Sequence, residues 1–211
     1  MPPILHFTNY KKSYDHGAKV VLTIPDLALN KGIYWLKGAN GSGKTSLLKS
    51  VAGLIPFDGD IFVEGAHIRK QRIAYRKIVN WSEAEPVYPD FLTGNDLVAF
   101  YQATKGGSAN HINELIGLIG VEKYLHQKIG SYSSGMTKKL SLLLAFIGEP
   151  KLILLDEPLI TLDSQTVAGI QKMIKQYAET GVSFLISSHQ HFDGSAGFAP
   201  TVLTIHNQTI S

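Results

Sequence analysis

Residues 38–45 are Gly38-Ala39-Asn40-Gly41-Ser42-Gly43-Lys44-Thr45, which matches the pattern G-x-x-x-x-G-K-[ST]. The glycines permit a tight turn whose backbone N–H groups point inward at phosphate oxygens. Residues 33–36 predict a buried strand before this turn, and a helix is predicted after it over about 43–52. The positive N-terminal end of such a helix attracts anions. We therefore interpret the stretch as a phosphate-binding loop, with Lys44 reaching the β- and γ-phosphates and the Thr45 hydroxyl holding Mg²⁺.

A second candidate group follows a strongly apolar stretch. Residues 152–155 predict a central parallel strand, apolar on both faces, and Asp156, Glu157 and Pro158 come directly after it. In open α/β sheets, ligands lie at the carboxyl ends of the strands. Phosphoryl transfer needs a carboxylate for the metal ion and a group that orients the attacking water. We therefore assign Asp156 to Mg²⁺, directly or through water, and Glu157 to polarising the water.

Strands and helices alternate along the chain, which predicts an α/β fold with a parallel sheet. Further core strands are predicted at 78–81 and 183–186. The stretches 20–24, 60–63 and 201–205 are predicted to be peripheral, antiparallel strands.

The middle of the chain differs from both ends. From about 85 to 144 there is little strand signal. Thr93 and Asp96 have the spacing of a capping box and predict the start of a helix over 97–103, and apolar spacing predicts another helix over 111–119. We interpret 85–144 as a helical subdomain inserted between two core strands.

Composition narrows the class of protein. The 20 Lys+Arg and 17 Asp+Glu give a formal net charge of +3, and basic pairs such as Lys138-Lys139 are interpreted as solvated surface, so nucleic-acid binding is not predicted. The chain has no cysteine, which excludes disulfides and thiolate metal sites and is typical of a reducing compartment. There is no signal-peptide pattern and no run of about 20 apolar residues, the length that a membrane helix needs. Any membrane-spanning part is therefore expected on a partner.

One further motif carries a family resemblance. The segment Tyr132-Ser133-Ser134-Gly135-Met136 precedes an apolar helix and the acidic strand end. At this point the sequence resembles the ATP-binding subunits of ABC transporters, which carry the signature L-S-G-G-Q a short helix before that strand. Ser133 and Gly135 match its serine and second glycine, whereas the other positions depart from it. The Y-S-x-G-M form is similar to the ABC-2 branch, which includes many exporters.

The resemblance covers about residues 7–209 and implies a fold. That fold is a P-loop NTPase with a RecA-like parallel sheet core, a peripheral antiparallel β lobe and an inserted helical subdomain. The chain is then a single ABC ATP-binding domain, in which 1–84 and 145–211 form the lobe and core and 85–144 form the subdomain.

The resemblance also implies roles for residues outside the first two motifs. The stretch 159–163 resembles the family's D-loop and ends in Asp163, and His189 resembles its switch histidine, which contacts the γ-phosphate as a donor. Tyr14 is expected to stack on adenine, with Tyr10 as the nearby alternative.

Glu83 marks a departure from the family pattern. Relatives usually carry Gln after the strand predicted at 78–81, and counting back from the segment 86–89 assigns that position to Glu83, or to Glu85 after a register slip. A carboxylate here can still reach Mg²⁺, but it brings negative charge near the γ-phosphate.

The predicted site has three groups of residues. The candidate catalytic residues are Lys44, Glu157 and His189. The candidate metal ligands are Thr45, Glu83 and Asp156. The candidate nucleotide contacts are Tyr14, Asn40, Gly41, Ser42, Gly43, Lys44, Thr45, Ser46 and Asp163, with Ser133 and Gly135 acting in trans from a second subunit.

Together these features predict an ATP-hydrolysing subunit that uses ATP and Mg²⁺. The resemblance implies dimerisation on ATP binding, as a homodimer or with a similar ATPase. It also implies a separate transmembrane permease subunit, a cytoplasmic location on the inner face of the membrane, and export of an unspecified cargo.

Two alternatives remain open at this point. A non-transport ABC ATPase that acts as an assembly or regulatory factor has the same motifs. A kinase or GTPase built on the same loop is less consistent, because the segment Asn30-Lys31-Gly32-Ile33 lacks the Asp of the guanine-recognition pattern N-K-x-D and because such an enzyme leaves the signature segment unexplained.

Overall fold

The computed structural model of the protein describes residues 2–188 and 197–211. The strands are β1 (Leu5–Tyr14), β2 (Lys19–Leu29), β3 (Ile33–Lys37), β4 (Asp58–Val63), β5 (Ala66–His67), β6 (Val79–Ser82), β7 (Leu152–Asp156), β8 (Ser183–Ser187), β9 (Thr201–His206) and β10 (Thr209–Ile210). The α-helices are α1 (Lys44–Val51), α2 (Arg72–Ile78), α3 (Gly94–Lys105), α4 (Ala109–Ile119), α5 (Ser134–Phe146) and α6 (Ser164–Glu179). Within these described residues, no helix combines the length and the apolar character needed to cross a membrane.

The central sheet has the strand order β10-β9-β3-β8-β7-β6. Neighbouring strands from β9 to β6 run parallel, and β10 pairs antiparallel with β9 at one edge. The predicted α/β fold with a parallel sheet is therefore confirmed. β6 begins at Val79, one residue later than predicted, because Ile78 is the last residue of α2.

The prediction of an antiparallel strand at 201–205 is only partly correct, because the strand pairs antiparallel with β10 but parallel with β3. This stretch lies in β9, which joins the central sheet parallel to β3, with Thr201 opposite Tyr34. Leu203 and Ile205 are buried whereas Val202 is 44% exposed. Such alternation reports that one face of a strand is in water, and it does not report the direction of the neighbouring strand.

A separate four-stranded antiparallel sheet has the order β2-β1-β4-β5. The strands predicted at 20–24 and 60–63 lie in its β2 and β4. The sequence analysis did not predict β1, in which one buried position is occupied by Lys12. Its ammonium donates to the Pro56 carbonyl at 2.8 Å. A charged residue at a buried position interrupts the alternation of apolar residues from which strands are predicted.

Two buried clusters cover opposite faces of the central sheet, and β7 shows the division. Leu152 and Leu154 belong to the cluster shared with α1 and the antiparallel sheet, whereas Ile153 and Leu155 belong to the cluster shared with α5 and α6. Because successive side chains of a strand point to opposite faces, residues 152–155 of β7 are all apolar. Asp156 ends this strand and is only 1% exposed.

The helices α3, α4 and α5 lie between β6 and β7 in the chain. The predicted capping box is confirmed, because Thr93 Oγ1 accepts from the Asp96 N–H at 3.1 Å and the Thr93 N–H donates to the Asp96 carboxylate at 2.8 Å. The helix predicted over 111–119 is α4. The subdomain boundary at 144 stays a prediction, and α5 continues to Phe146.

Candidate nucleotide-binding site

The loop between β3 and α1 requires glycine at two positions. Gly43 has a φ of 104°, and a Cβ there would lie 2.7 Å from a methyl group of Val21. A Cβ at Gly38 would lie 2.5 Å from Ser42 Oγ and 3.0 Å from the Ile205 carbonyl oxygen. The loop is thus pressed against β2 and β9 with no room for side chains at these points. Ser42 Oγ itself is buried with no hydrogen-bond partner among the described residues, and Ser42 is absent from the lining of the cleft.

The Lys44 ammonium folds back onto its own loop. It donates to the Gly38 carbonyl at 2.7 Å and to the Ala39 carbonyl at 3.1 Å, and the residue is 8% exposed. Both acceptors are neutral carbonyl oxygens. Phosphate oxygens offer stronger, charge-assisted hydrogen bonds, so we expect the ammonium to exchange the carbonyls for a phosphate.

The first residues of α1 meet the end of β7. Thr45 Oγ1 donates to Asp156 Oδ2 at 2.9 Å, and Ser187 at the end of β8 donates to Asp156 Oδ1. A hydroxyl and a carboxylate are the protein ligands that Mg²⁺ takes together with phosphate oxygens and water. Within residues 2–188 and 197–211 there is no group of three or more His, Asp or Glu side chains that could hold a metal ion alone. Thr45 and Asp156 supply one hydroxyl and one carboxylate of such a ligand set.

Glu157 has an unusual backbone conformation. Its φ is 44°, a left-handed value that is costly for a residue with a long side chain. Its N–H donates to the Ser187 carbonyl oxygen at 3.0 Å and lies 3.2 Å from Ser187 Oγ, and the residue is 8% exposed. Ser187 therefore supports both Glu157 and Asp156, although the sequence analysis gave it no role. In the sequence, the one feature that could have identified Ser187 is its position as a polar residue at the end of a predicted buried strand.

These groups open onto a cleft of about 320 Å³. Tyr14 lines the cleft and is 43% exposed, and its hydroxyl lies 3.0 Å from Ser46 Oγ. Tyr10 is fully buried and donates to Ser50 Oγ at 3.0 Å, and burial raises the pKa of Tyr10 to about 12. Of the two tyrosines considered from sequence, Tyr14 alone presents its ring to the cleft. Lys19, which no motif singled out, also lines it. The lining residues are Tyr14, Lys19, Val21, Asn40, Gly41, Gly43, Lys44, Thr45, Ser46, Asp156 and Glu157.

Ser133, Gly135 and Asp163 do not line this cleft. Ser133 is exposed at the N-cap of α5, where its hydroxyl accepts a backbone hydrogen bond from the first turn. Asp163 is the N-cap of α6 and accepts hydrogen bonds at 2.8 Å from both the N–H and the hydroxyl of Thr166. With Lys139 at 3.0 Å, these bonds hold the pKa of the Asp163 carboxyl below its usual range. The signature segment and the cleft are therefore separate surfaces of one chain.

Glu83 comes directly after β6 and does not line the cleft. Its carboxylate pairs with the Lys49 ammonium of α1. Its carbonyl oxygen accepts a hydrogen bond of 2.6 Å from Lys138, which also donates to the Asp156 carbonyl at 2.9 Å. The interpretation of Lys138 as solvated surface is wrong, since it lies on the buried side of α5 and is 1% exposed. Burial lowers the pKa of Lys138 to about 8, against the opposing effect of the Asp156, Glu157 and Glu83 carboxylates.

His189 lies outside the described residues, so its contact with a γ-phosphate stays a prediction. Ser188, the residue before it, directly follows β8. The Ser188 carbonyl accepts a hydrogen bond of 3.0 Å from the Trp35 indole.

The site combines a glycine loop between a strand and a helix with a helix hydroxyl that faces a buried carboxylate at the end of a second parallel strand. This arrangement defines the class of P-loop NTPases. Comparison with known proteins identifies the family. The ABC transporter family model matches residues 24–160. The linearmycin resistance ATP-binding protein LnrL of Bacillus subtilis (strain 168) is 30% identical over 192 residues, which is 88% of this chain and 61% of that protein. The chain therefore spans less than two thirds of this relative's length.

Solved structures agree on the fold. A structure of the ATP-binding subunit of an ABC transporter has a TM-score of 0.86 at 23% identity, covering 98% of this chain and 88% of its own. A dimeric post-hydrolysis state of an ATP-binding cassette bound to ADP and Pi has a TM-score of 0.80 at 18% identity, covering 98% of this chain and 96% of its own. The chain belongs to the ABC transporter family and is similar to its ATP-binding proteins.

Proposed function

We propose that the protein binds Mg²⁺–ATP in the cleft and uses the energy of hydrolysis to drive transport through a separate permease. The observation that carries this proposal is the hydrogen bond between Thr45 and Asp156, because it joins the phosphate loop to the acidic strand end. In the proposed complex Lys44 and the loop N–H groups bind the phosphates, and Thr45 and Asp156 hold Mg²⁺, which neutralises charge that develops on the phosphate oxygens. Tyr14 stacks on the adenine ring.

Glu157 is the proposed water-orienting residue. It lies beside Asp156 on the lining of the cleft, and its backbone is fixed by Ser187. A carboxylate held at that point can accept a proton from an attacking water. His189 is proposed to donate to the γ-phosphate.

The proposed active form is a dimer in which each chain completes the partner's site. Ser133 and Gly135 do not line the cleft of their own chain. We therefore propose that a nucleotide in the cleft contacts the Ser133 and Gly135 of a second subunit. A cassette of the same fold forms a dimer with ADP and Pi bound, which supports a dimeric form. Asp163 is proposed to act at the same junction, at the N-cap of α6.

The coupling partner is proposed to be a transmembrane permease, with this chain on the cytoplasmic face of the membrane. An exporter is favoured by the form of the signature segment. A non-transport role in assembly or regulation is the alternative, and co-purification with a membrane protein separates the two.

The experiment that tests the site is ATP binding and hydrolysis by the full chain with and without Mg²⁺. Wild type should hydrolyse ATP only with the metal, and Asp156→Asn should lose metal-dependent turnover while the fold is retained. Metal-independent hydrolysis, or unchanged turnover in Asp156→Asn, contradicts the assignment.

A further inference from the structure

One buried ammonium joins the residue after β6, Glu83, to the last residue of β7, Asp156. The pairing of these strands ends with Ser82 opposite Leu155. Beyond that point β6 and β7 are bridged by the Lys138 ammonium. It donates to the carbonyl oxygens of Glu83 and Asp156, at 2.6 Å and 2.9 Å. Beyond the last strand pair, a side chain therefore bridges the backbone of Glu83 and Asp156.

The origin of this side chain is also informative. Lys138 lies on α5, the helix that begins at the signature segment with Ser133 as its N-cap. Any displacement of α5 therefore moves an ammonium that is hydrogen-bonded to the backbone of two candidate metal-binding residues. A lysine that is 1% exposed gains no hydration, so these two carbonyls are what keeps it in place.

A second lysine of the helical region provides the comparison. Lys105 at the end of α3 donates to the Val79 carbonyl at 2.9 Å and to the Arg76 carbonyl. It thus fastens the same strand, β6, at the opposite end. Val79 and Glu83 are separated by about 13 Å along an extended chain, so Lys105 lies far from the cleft. If both buried lysines contributed to stability alone, replacing either one would have the same effect on ATP hydrolysis.

We propose that Lys138 is a positioning residue for ATP hydrolysis, which fixes the backbone of Glu83 against that of Asp156 and Glu157 and ties both to the signature helix. The inference rests on the proposed function, since it assumes that these carboxylates act on Mg²⁺ and water. Lys138 touches neither nucleotide nor metal in this scheme. It acts through the geometry of the residues that do.

The test compares Lys138→Met with Lys105→Met in the full chain, with kcat, KM for ATP, the Mg²⁺ concentration at half-maximal rate, and thermal stability as readouts. Both variants remove an ammonium and keep a flexible apolar side chain. For Lys138→Met we expect kcat to fall about tenfold or more and the Mg²⁺ requirement to rise, with KM for ATP little changed, because removing groups that orient ligands typically has effects of this size. Lys105→Met should lose stability and keep its kcat. Lys138→Arg, which retains donors and charge, should recover part of the lost rate.

Equal kcat for folded Lys138→Met and wild type overturns the inference, and so does an equal loss of kcat in both methionine variants. If Lys138→Met does not fold, Lys138→Gln takes its place, and the same kcat comparison decides. Lys44→Ala in parallel separates the two levels of argument. An active Lys44→Ala contradicts the proposed function, whereas an inactive Lys44→Ala beside a fully active Lys138 variant contradicts the positioning role alone.

Discussion

Lys49 and Glu83 form an ion pair that joins α1 to the residue after β6. Both side chains are about one third exposed, at 31% and 30%. The residue assigned to the position of the family's usual Gln is thus paired with a lysine from the helix that follows the phosphate loop. The pair gives a physical account of how a carboxylate is tolerated close to a phosphate-binding site, because the ammonium offsets its charge.

Glu83→Gln should remain active and need less Mg²⁺ for its half-maximal ATPase rate, because the amide removes a negative charge that the metal otherwise helps to offset. A magnesium titration measures this, with Glu85→Gln as the control that should not shift. If the Glu85 change alone shifts the curve, the assigned register is wrong by two residues.

Lys49→Met should raise KM for ATP about two- to fivefold, since a partly exposed pair of this kind is worth about 0.5–1 kcal/mol and its loss leaves the Glu83 charge uncompensated. The double variant Lys49→Met/Glu83→Gln should return KM towards that of wild type. Additive effects of the two changes would show that the pair is not coupled to nucleotide binding.

Lys44→Ala should weaken ATP binding by about 10- to 100-fold, because charge-assisted hydrogen bonds are worth about 1.5–3 kcal/mol. Isothermal titration calorimetry with Mg²⁺–ATP measures the change. Lys37→Ala, a lysine of β3 just before the loop, is the control for loss of positive charge and should bind nearly as wild type. Normal affinity in Lys44→Ala contradicts the phosphate-binding assignment.

Glu157→Gln should slow hydrolysis about 100-fold or more while Mg²⁺–ATP stays bound, because an amide is a poor proton acceptor. The ATP-bound dimer should then accumulate, which light scattering with and without ATP detects. Lys44→Ala/Glu157→Gln should stay monomeric, since dimerisation is expected to need bound nucleotide. A monomeric Glu157→Gln at saturating ATP counts against the two-chain site.

Tyr14→Ala should weaken the binding of adenine nucleotides about tenfold, because stacking of a base on an aromatic ring is worth about 1–3 kcal/mol. Tyr10→Phe is the matched control. It removes a buried hydroxyl that bonds Ser50, so it should lower the free energy of unfolding by about 1 kcal/mol and leave nucleotide affinity unchanged. The opposite pattern of effects would assign the adenine contact to Tyr10.

The sequence alone determined the features that depend on neighbouring residues. The glycine spacing of residues 38–45 predicts the loop because Gly43 needs a left-handed φ, which is local to one residue. The apolar run before Asp156 predicts a strand buried on both faces, and Thr93 with Asp96 predicts the start of α3. In each case the physical cause lies within a few residues of the chain.

Only the tertiary structure decided the contacts between distant segments. Whether Tyr10 or Tyr14 faces the cleft depends on how α1 packs against β1, and the parallel direction of β9 depends on its place beside β3. Lys138 was misjudged because a lysine is normally solvated, and only the convergence of α5 with the ends of β6 and β7 supplies the two carbonyls that hold it. Short-range patterns specify backbone conformation, whereas burial and hydrogen-bond partners depend on segments that are brought together by folding.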